Sequence, residues 1–343
     1  MEAGVLLGAG TPEPTVEVSV IVINWNTRDL LDQALSTMQP AIAGLAVEVI
    51  VVDNGSVDGS VDMVRSNWPD VILVSLPRNV GFAAGNNAGI RRARGRKIML
   101  LNSDVIVLES TVRGLVACLE RRPEVGCAGA RHLNADRTLQ RSMDRFPTLL
   151  SDLLSYSEAH RLPAARAYLR RKYPWWGDHD TELEVGWVNG ACLMVRREVL
   201  GTVGLLDERF FIYGEELDWC YRMWEAGWRV VFTPDAEVVH LGGQAMDAAS
   251  ARRIVLLYLG QLKFYDKHYS RARASGLRAG IAVLASARLG ILALLFAASR
   301  AGVDPSDRTW RLVTGERVRT GWLPMFSAWW KIARLSPQDR VEA

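Results

Sequence analysis

The chain has 343 residues, 49% of them hydrophobic, and a formal net charge of +3. This apolar content excludes a disordered chain and is enough to bury a large core in one or two domains. The charge surplus is small and not gathered into a block of like charges, so nothing speaks for a nucleic-acid partner.

In chain order, residues 1–15, MEAGVLLGAGTPEPT, carry no Lys or Arg before a short apolar patch. They predict a flexible tail and not a secretory signal. The run VEVSVIVIN, Val16 to Asn24, is rich in β-branched residues and predicts a strand, and VEVIVVD, Val47 to Asp53, predicts a second one after a helical stretch. VILVS at Val71 to Ser75 and KIMLL at Lys97 to Leu101 repeat the pattern. Near-continuous apolar strands alternating with helices belong to a parallel sheet covered on both faces, so the first hundred or so residues are expected to be doubly wound α/β. Ligands of such sheets sit at the carboxyl ends of the strands, where this chain places NWN from Asn24, DNGS from Asp53 and NSD from Asn102.

A helix is expected near Glu109 to Arg121. The Arg-rich region from Arg131 to Glu184 reads as irregular, with YPWWGD, Tyr173 to Asp178, as a loop. GWVNGACLMVRREVL, Gly186 to Leu200, predicts a strand, and a helix from about Glu215 to Ala226 is closed by Gly227. Two short strands, WRVVF and AEVVH, are expected after it. Cys118, Cys127, Cys192 and Cys220 lack CxxC spacing and read as reduced core thiols of a cytosolic protein.

Beyond Ala251 helix formers dominate, and between Ala279 and Ser299 only Arg288 is charged. That length permits a membrane span, yet Arg288 speaks against a simple one. Arg271, Arg273 and Arg278 before it and Arg300 after it suit a helix lying in a lipid interface, and a buried helix is the alternative. Trp322, Trp329 and Trp330 fit an interfacial belt or plain packing equally well. The expected division is a tail at 1–15, a main domain at 16–250, a helical segment at 251–303 and a C-terminal tail at 304–343.

Asp53 ends a strand before a Gly-containing turn, so its carboxylate either faces the ligand crevice or only shapes the turn. RNVGFAAGNNAGI, Arg78 to Ile90, spaces Gly81, Gly85 and Gly89 four apart. It is neither a GxGxxG fingerprint nor a phosphate loop; its glycines suit close backbone approach to a ligand or a neighbouring strand. Asp104 is a hard oxygen ligand suited to Mg or Mn on a diphosphate, since such ions take few protein carboxylates. His240 also ends a strand, and its imidazole suits manganese better than magnesium. Asp218 and Arg222, four apart on a helix, can pair as scaffold. Glu215 and Glu216 stand at a helix start, which attracts acids in any case but also leaves a carboxylate able to take a proton from a hydroxyl.

Together and in this order, VSVIVINWN, VVDNGSVDGS, RNVGFAAGNNAGI, LLNSDV, WVNGACLMVRREVL, GEELDWCYR and VVHLGG resemble the family 2 glycosyltransferases of GT-A fold. Within that family the chain looks most like the bacterial rhamnosyltransferases of cell-wall and O-antigen synthesis. The likeness runs from about Val16 to Gly243. It implies a GT-A fold, mainly a parallel sheet with helices on both faces, plus a C-terminal helical extension. It also implies inverting transfer of a sugar, rhamnose from dTDP-rhamnose as best reading, from a nucleoside diphosphate donor to a lipid-linked or polysaccharide acceptor hydroxyl. By the same resemblance Asn24, Asp53, Asn79, Gly81, Asn86, Asn102 and Ser103 line the nucleotide and donor, with Asp53 at the base. Asp104 and His240 hold a divalent metal, Mg or Mn, and Trp187, Asn189 and Gly190 bound the sugar pocket. Glu216 is the base, with Glu215 as the other candidate, and Asp218 and Arg222 complete the motif. Asn102 stands where the metal motif often has an Asp, and Glu-Glu where the family often shows Glu-Asp. The alternatives are a UDP- or GDP-sugar transferase and a non-catalytic sugar-nucleotide-binding subunit. The expected location is peripheral at the cytoplasmic face of the cell membrane, and a homo-oligomer is compatible with the sequence.

Overall fold

The computed structural model describes residues 16–173, 179–242, 251–300 and 322–339. Strand β1 (Val18–Asn24) is buried along its whole length and leads into helix α1 (Arg28–Ile42), which lays Leu31, Leu35 and Met38 on the sheet. β2 (Val47–Asp53), α2 (Ser60–Asn67), β3 (Ile72–Ser75), α3 (Phe82–Ile90) and β4 (Lys97–Asn102) follow. β3, β2, β1 and β4 lie side by side and parallel. The register pairs Asn24 with Asp53 and Ile23 with Asn102, so the three polar strand ends finish level with one another. That alignment turns three separate sequence motifs into one rim.

Next come β5 (Val105–Val107), α4 (Ser110–Arg121), β6 (Val125–Leu133), β7 (Leu139–Gln140) and β8 (Met143–Asp144). They are followed by α5 (Leu149–Tyr156), a 3-10 turn at Ala159–Arg161, α6 (Pro163–Lys172), β9 (Leu183–Glu184), β10 (Trp187–Val188), β11 (Cys192–Arg196) and α7 (Arg197–Val203). α8 (Glu215–Glu225) and β12 (Arg229–His240) complete the sheet, whose long path runs β3-β2-β1-β4-β11-β6-β12-β5. β11 is antiparallel to both its neighbours, whereas β12 runs parallel to β6. Apolar clusters fill both sheet faces, and Cys118, Cys127, Cys192 and Cys220 are buried free thiols within them.

A third cluster lies among α9 (Ala251–His268), α10 (Arg271–Arg300) and α11 (Trp322–Ile332). Gly260 of α9 permits a close crossing, because a Cβ there would lie 2.2 Å from the Tyr213 carbonyl oxygen. The turn before α8 is thus pressed onto α9. Arg288 points into the helical cluster, where its Nη1 donates to Tyr258 Oη at 3.0 Å and its guanidinium stacks 4.4 Å from the Trp329 ring centre.

Several sequence expectations need correction. The two strands expected after α8 are one, β12, whose register against β6 shifts between Thr233 and Glu237. Pro234, lacking an N–H, sits in that irregularity and so does not end the strand. The region expected to be irregular holds α5 and α6; α5 starts on a reciprocal Thr148–Ser151 capping box. Most of the YPWWGD loop and the N-terminal tail lie outside the described residues. The expected C-terminal tail includes α11, with Met325 and Trp329 buried.

Candidate active site

The level strand ends open into a cavity of about 540 Å³. Asn24, Asn79, Gly81, Asn102, Ser103, Asp104, Asn189, Gly190, Glu215, Glu216 and His240 all line it. Asp53, Asn86, Trp187, Asp218 and Arg222 do not.

On the β1–β2 side, Asn24 Nδ2 donates to Asp53 Oδ1 at 3.0 Å, and the Ser56 backbone N–H donates to Asp53 Oδ2 at 3.0 Å. Asp53 is 1% exposed and both its oxygens serve the protein, so it shapes the turn and holds Asn24 instead of facing the crevice. Asn54, which the sequence did not single out, organises the neighbouring loop. Its Nδ2 donates to Asn79 Oδ1 and to the Gly81 carbonyl, both at 3.1 Å, and its Oδ1 accepts from Val80 N at 2.9 Å. Gly81 has φ +93°, and a Cβ on it would lie 2.5 Å from the Phe211 carbonyl oxygen, so only glycine suits the position. Asn86 lies beneath, bonded through Nδ2 to the Phe82 carbonyl at 3.0 Å, with Oδ1 buried and unpartnered.

Asp104 and His240 meet on the far wall, Oδ1 to Nε2 at 3.3 Å. The tautomer follows from Gln140. Its Nε2 donates to Asn134 Oδ1 at 2.9 Å and to the His240 carbonyl at 3.0 Å, so the atom 2.6 Å from His240 Nδ1 is its acceptor Oε1. Nδ1 therefore donates to Gln140, which leaves Nε2 turned toward the Asp104 carboxylate. Adjacent ligands of an octahedral ion with bonds of about 2.1 Å stand about 3.0 Å apart, close to the separation found. Among the described residues no third His, Cys, Asp or Glu joins the pair. Nearby, Asn102 Oδ1 is buried without a hydrogen-bond partner, a neutral oxygen at the place of the motif's first acid. The donor set suits Mg or Mn, which keep most of their shell for water and phosphate.

The same cavity is lined by the acidic pair. Tyr213, at φ +69°, and Gly214, at φ +96°, turn the chain sharply into α8, so Glu215 and Glu216 fall in its first turn. Burial, then the Glu216 charge, pushes the Glu215 carboxyl well above the usual carboxylate range. Burial raises Glu216 too, while backbone amides, that of Gly190 among them, pull it back. Each has a buried Oε2 without a hydrogen-bond partner. Gly190 forms the adjoining wall, its Cβ position 3.4 Å from the Phe82 ring and 3.6 Å from Glu216 Cβ.

Asp218 and Trp187 lie outside the cavity lining. Asp218, fully buried, accepts from Arg222 Nε at 2.9 Å, Lys267 Nζ at 2.6 Å and His268 Nε2 at 2.7 Å. Burial alone would raise its carboxyl, but these donors and charges outweigh it and hold it below the usual range. Its place is a clamp between α8 and α9. Trp187 packs against the sheet-face cluster, with the Arg141 guanidinium 5.7 Å from its ring centre.

Sequence reading missed Trp25, Phe211, Ile212, Tyr213, Arg141 and Arg253 in the lining. Trp25 sat inside the quoted NWN cluster, so its position was available. Arg253 comes from α9, and no local pattern ties it to strand ends more than a hundred residues earlier.

Residues 19–182 match the family model for glycosyl transferase family 2. A curated relative from Mycobacterium tuberculosis, named N-acetylglucosaminyl-diphospho-decaprenol L-rhamnosyltransferase, is 29% identical over 235 residues, covering 64% of this chain and 75% of that protein. The O-antigen biosynthesis protein RfbC of Myxococcus xanthus is 27% identical over 238 residues, 67% of this chain and 17% of that protein. Among solved structures, the mannosyltransferase of Pyrobaculum calidifontis in complex with GDP-Man and Mn2+ superposes with a TM-score of 0.53 at 19% identity, covering 94% of this chain and 88% of that one. With the strand-end cavity, its acidic pair and the family match all on one chain, residues 19–182 form a family 2 glycosyltransferase domain of GT-A fold, and the chain is similar in sequence to a mycobacterial rhamnosyltransferase.

Proposed function

We propose that this glycosyltransferase moves a sugar, L-rhamnose from dTDP-rhamnose, onto a hydroxyl of a lipid-linked or polysaccharide acceptor in cell-envelope glycan synthesis. The observation that carries the reading is that two chemistries line one cavity, the Asp104–His240 pair and the Glu215–Glu216 pair. The mycobacterial relative's name supplies both the sugar and a diphospho-lipid acceptor. The mannosyltransferase structure was solved with Mn2+ and a GDP-sugar, which supports a divalent ion and a nucleoside diphosphate donor here.

Asp104 and His240 would hold the metal, with Asn102 as a neutral neighbour. A bound ion there would supply positive charge to the departing nucleoside diphosphate. Asn24, Asn54, Asn79 and Gly81 bound the nucleotide side of the cavity with neutral hydrogen-bonding groups, and Ser103 lies beside them. Asn189 and Gly190 bound the sugar next to Glu216.

Glu216 is the base and Glu215 its protonated neighbour. Two carboxyls this close and this buried do not both ionise readily, and the pull of the Gly190 amide favours charge on Glu216. The acceptor O–H gives its proton to Glu216 as its oxygen bonds the anomeric carbon, while the bond from that carbon to the diphosphate oxygen breaks on the opposite face. One displacement inverts the centre. The enzyme works at the cytoplasmic face of the cell membrane, where a lipid-linked acceptor is presented.

Release of nucleoside diphosphate from a panel of dTDP-, UDP- and GDP-sugars, with a short-chain diphospho-lipid GlcNAc as acceptor, tests the reading. Acceptor-dependent release from dTDP-rhamnose supports it, and preferred turnover of a UDP- or GDP-sugar overturns the donor. Donor binding without release from any of them would make the chain a binding subunit.

A further inference from the structure

We propose that α10 lies flat in an anionic lipid leaflet, its outer face inserted among acyl chains and the basic helix α6 resting on the headgroups. The inference builds on the lipid-linked acceptor read above, and names the surface that brings the enzyme to it.

α10 contains 30 residues, and an 18-residue window within it has a mean hydropathy of 2.2 with only 17% of it buried. Its one interior charge, Arg288, is 9% exposed and faces the protein, held by Tyr258 Oη, the Tyr156 carbonyl and the Trp329 ring. The opposite face carries Val283, 68% exposed, and Leu294, 72%, while Ile291, 43%, and Phe296, 46%, are exposed on the flanks of the helix. From 279 to 299 every exposed α10 residue is uncharged. Spanning the bilayer would strip Arg288 of its partners and set a charge in hydrocarbon, at a cost of at least about 2.5 kcal/mol. Lying in the interface keeps those contacts and still covers the apolar face.

Charge selects the partner. Arg271, Arg273 and Arg278 are exposed at one end of the helix and Arg300 at the other. α5 runs alongside α10: the Cβ position of Gly276 is 3.1 Å from the Leu149 side chain, and Tyr156 reaches Arg288. After α5 the chain doubles back through α6, whose end returns to the start of α5 with Tyr173 Oη 3.2 Å from Thr148 Oγ1, and Arg166, Arg170, Arg171 and Lys172 are exposed on it. Apolar surface with cations at both helix ends matches an anionic leaflet, in which each basic side chain near the surface adds about 1 kcal/mol. A second copy of the chain fits worse, since antiparallel pairing of two α10 faces would set Arg271 and Arg273 against Arg300. The α9–α10 hairpin also links this face to the cavity, because Arg253 of α9 lines it.

Flotation of the full chain with vesicles of phosphatidylcholine alone, and of equal parts phosphatidylcholine and phosphatidylglycerol, tests the proposal. The chain is expected to float with the mixed vesicles and more weakly with the neutral ones. The double variant Val283→Glu/Leu294→Glu, at exposed positions that leave the core intact, should lose about tenfold or more of the partitioning. Arg170→Ala/Arg171→Ala/Lys172→Ala should lose binding to mixed vesicles only. Absence of flotation, or unchanged flotation of the glutamate variant, overturns the proposal. So does a glutamate variant that turns a dimer into a monomer by light scattering while still floating, which would assign the face to a second copy. Flotation needs neither donor nor acceptor, so failure of the transferase reading leaves this measurement standing.

Discussion

Gln140→Leu isolates the contact that fixes the His240 ring in the form proposed to bind metal. In the native site Gln140 Oε1 accepts from Nδ1 at 2.6 Å, and the amide is itself locked by its bonds to Asn134 and to the His240 carbonyl. Leucine keeps much of the volume and removes the acceptor, so the ring is free to rotate or to carry its proton on Nε2, which no longer ligates. Loss of such a supporting contact typically weakens metal binding about 10- to 100-fold. In free energy that is about 1.4 to 2.8 kcal/mol. The His240 side chain is 14% exposed and Asp104 9%, so water substitutes poorly for the lost acceptor and the upper half of the range is expected. The assay is calorimetric titration of Mn2+ into protein saturated with nucleoside diphosphate, backed by the Mn2+ concentration for half-maximal turnover. Both should move by the same factor, while turnover at saturating metal recovers most of the native value. Gln140→Glu, which keeps an oxygen at Nδ1, should bind metal far better than the leucine variant. Equal Mn2+ affinity in native and Gln140→Leu protein would refute both the tautomer argument and the placing of the ion at His240.

Three further outcomes follow from the site and its supports. Glu216→Gln should lower kcat about 10²- to 10⁴-fold with donor binding retained. Because burial raises that carboxyl and the base must be ionised, native kcat should rise with pH along a limb lying above the ordinary carboxylate range; a limb within that range, or larger loss in Glu215→Gln, would move the base elsewhere. Asp218→Ala removes the acceptor shared by Arg222, Lys267 and His268, although Lys267 keeps Asp207 and Arg222 keeps the Val203 and Leu205 carbonyls, and should cost about 3 kcal/mol in urea denaturation, while turnover per folded molecule changes little. An inactive but fully stable variant would instead make Asp218 part of the chemistry. Asp152, pushed up to about 7 chiefly by burial, accepts from Gln261 and Tyr265. The unfolded chain releases this proton near pH 4 and the folded one near 7, so its contribution to stability is lost as pH rises across that window. Asp152→Asn should flatten the fall of Tm between those pH values, and an unchanged slope would exclude Asp152 as its source.

What was legible in the chain was whatever is written locally. Near-continuous apolar runs ending in Asn24, Asp53 and Asn102 needed only the rule for parallel sheets to be gathered at one rim, and the register of β1 with β2 and β4 accounts for it. The acidic pair was legible for the same reason, since a helix start is a local signal. Partners chosen by tertiary contact left no such trace. Nothing in sequence spacing says that Gln140 meets His240 a hundred residues on, that Asn54 rather than Asp53 steadies the Asn79–Gly81 loop, or that Arg253 reaches the cavity. Asp218 and Arg222 mark the boundary between the two kinds of information. Their spacing disclosed the pair but not its burial, and a buried ion pair four residues apart carries little meaning until Lys267 and His268 are seen on the same carboxylate. With those partners in place, the first turn of α8 is fastened to α9 through Asp218, and Glu215 and Glu216 in that same turn inherit their orientation from the joint. The helical extension, which shares no motif with the strand ends, therefore sets the position of the proposed base.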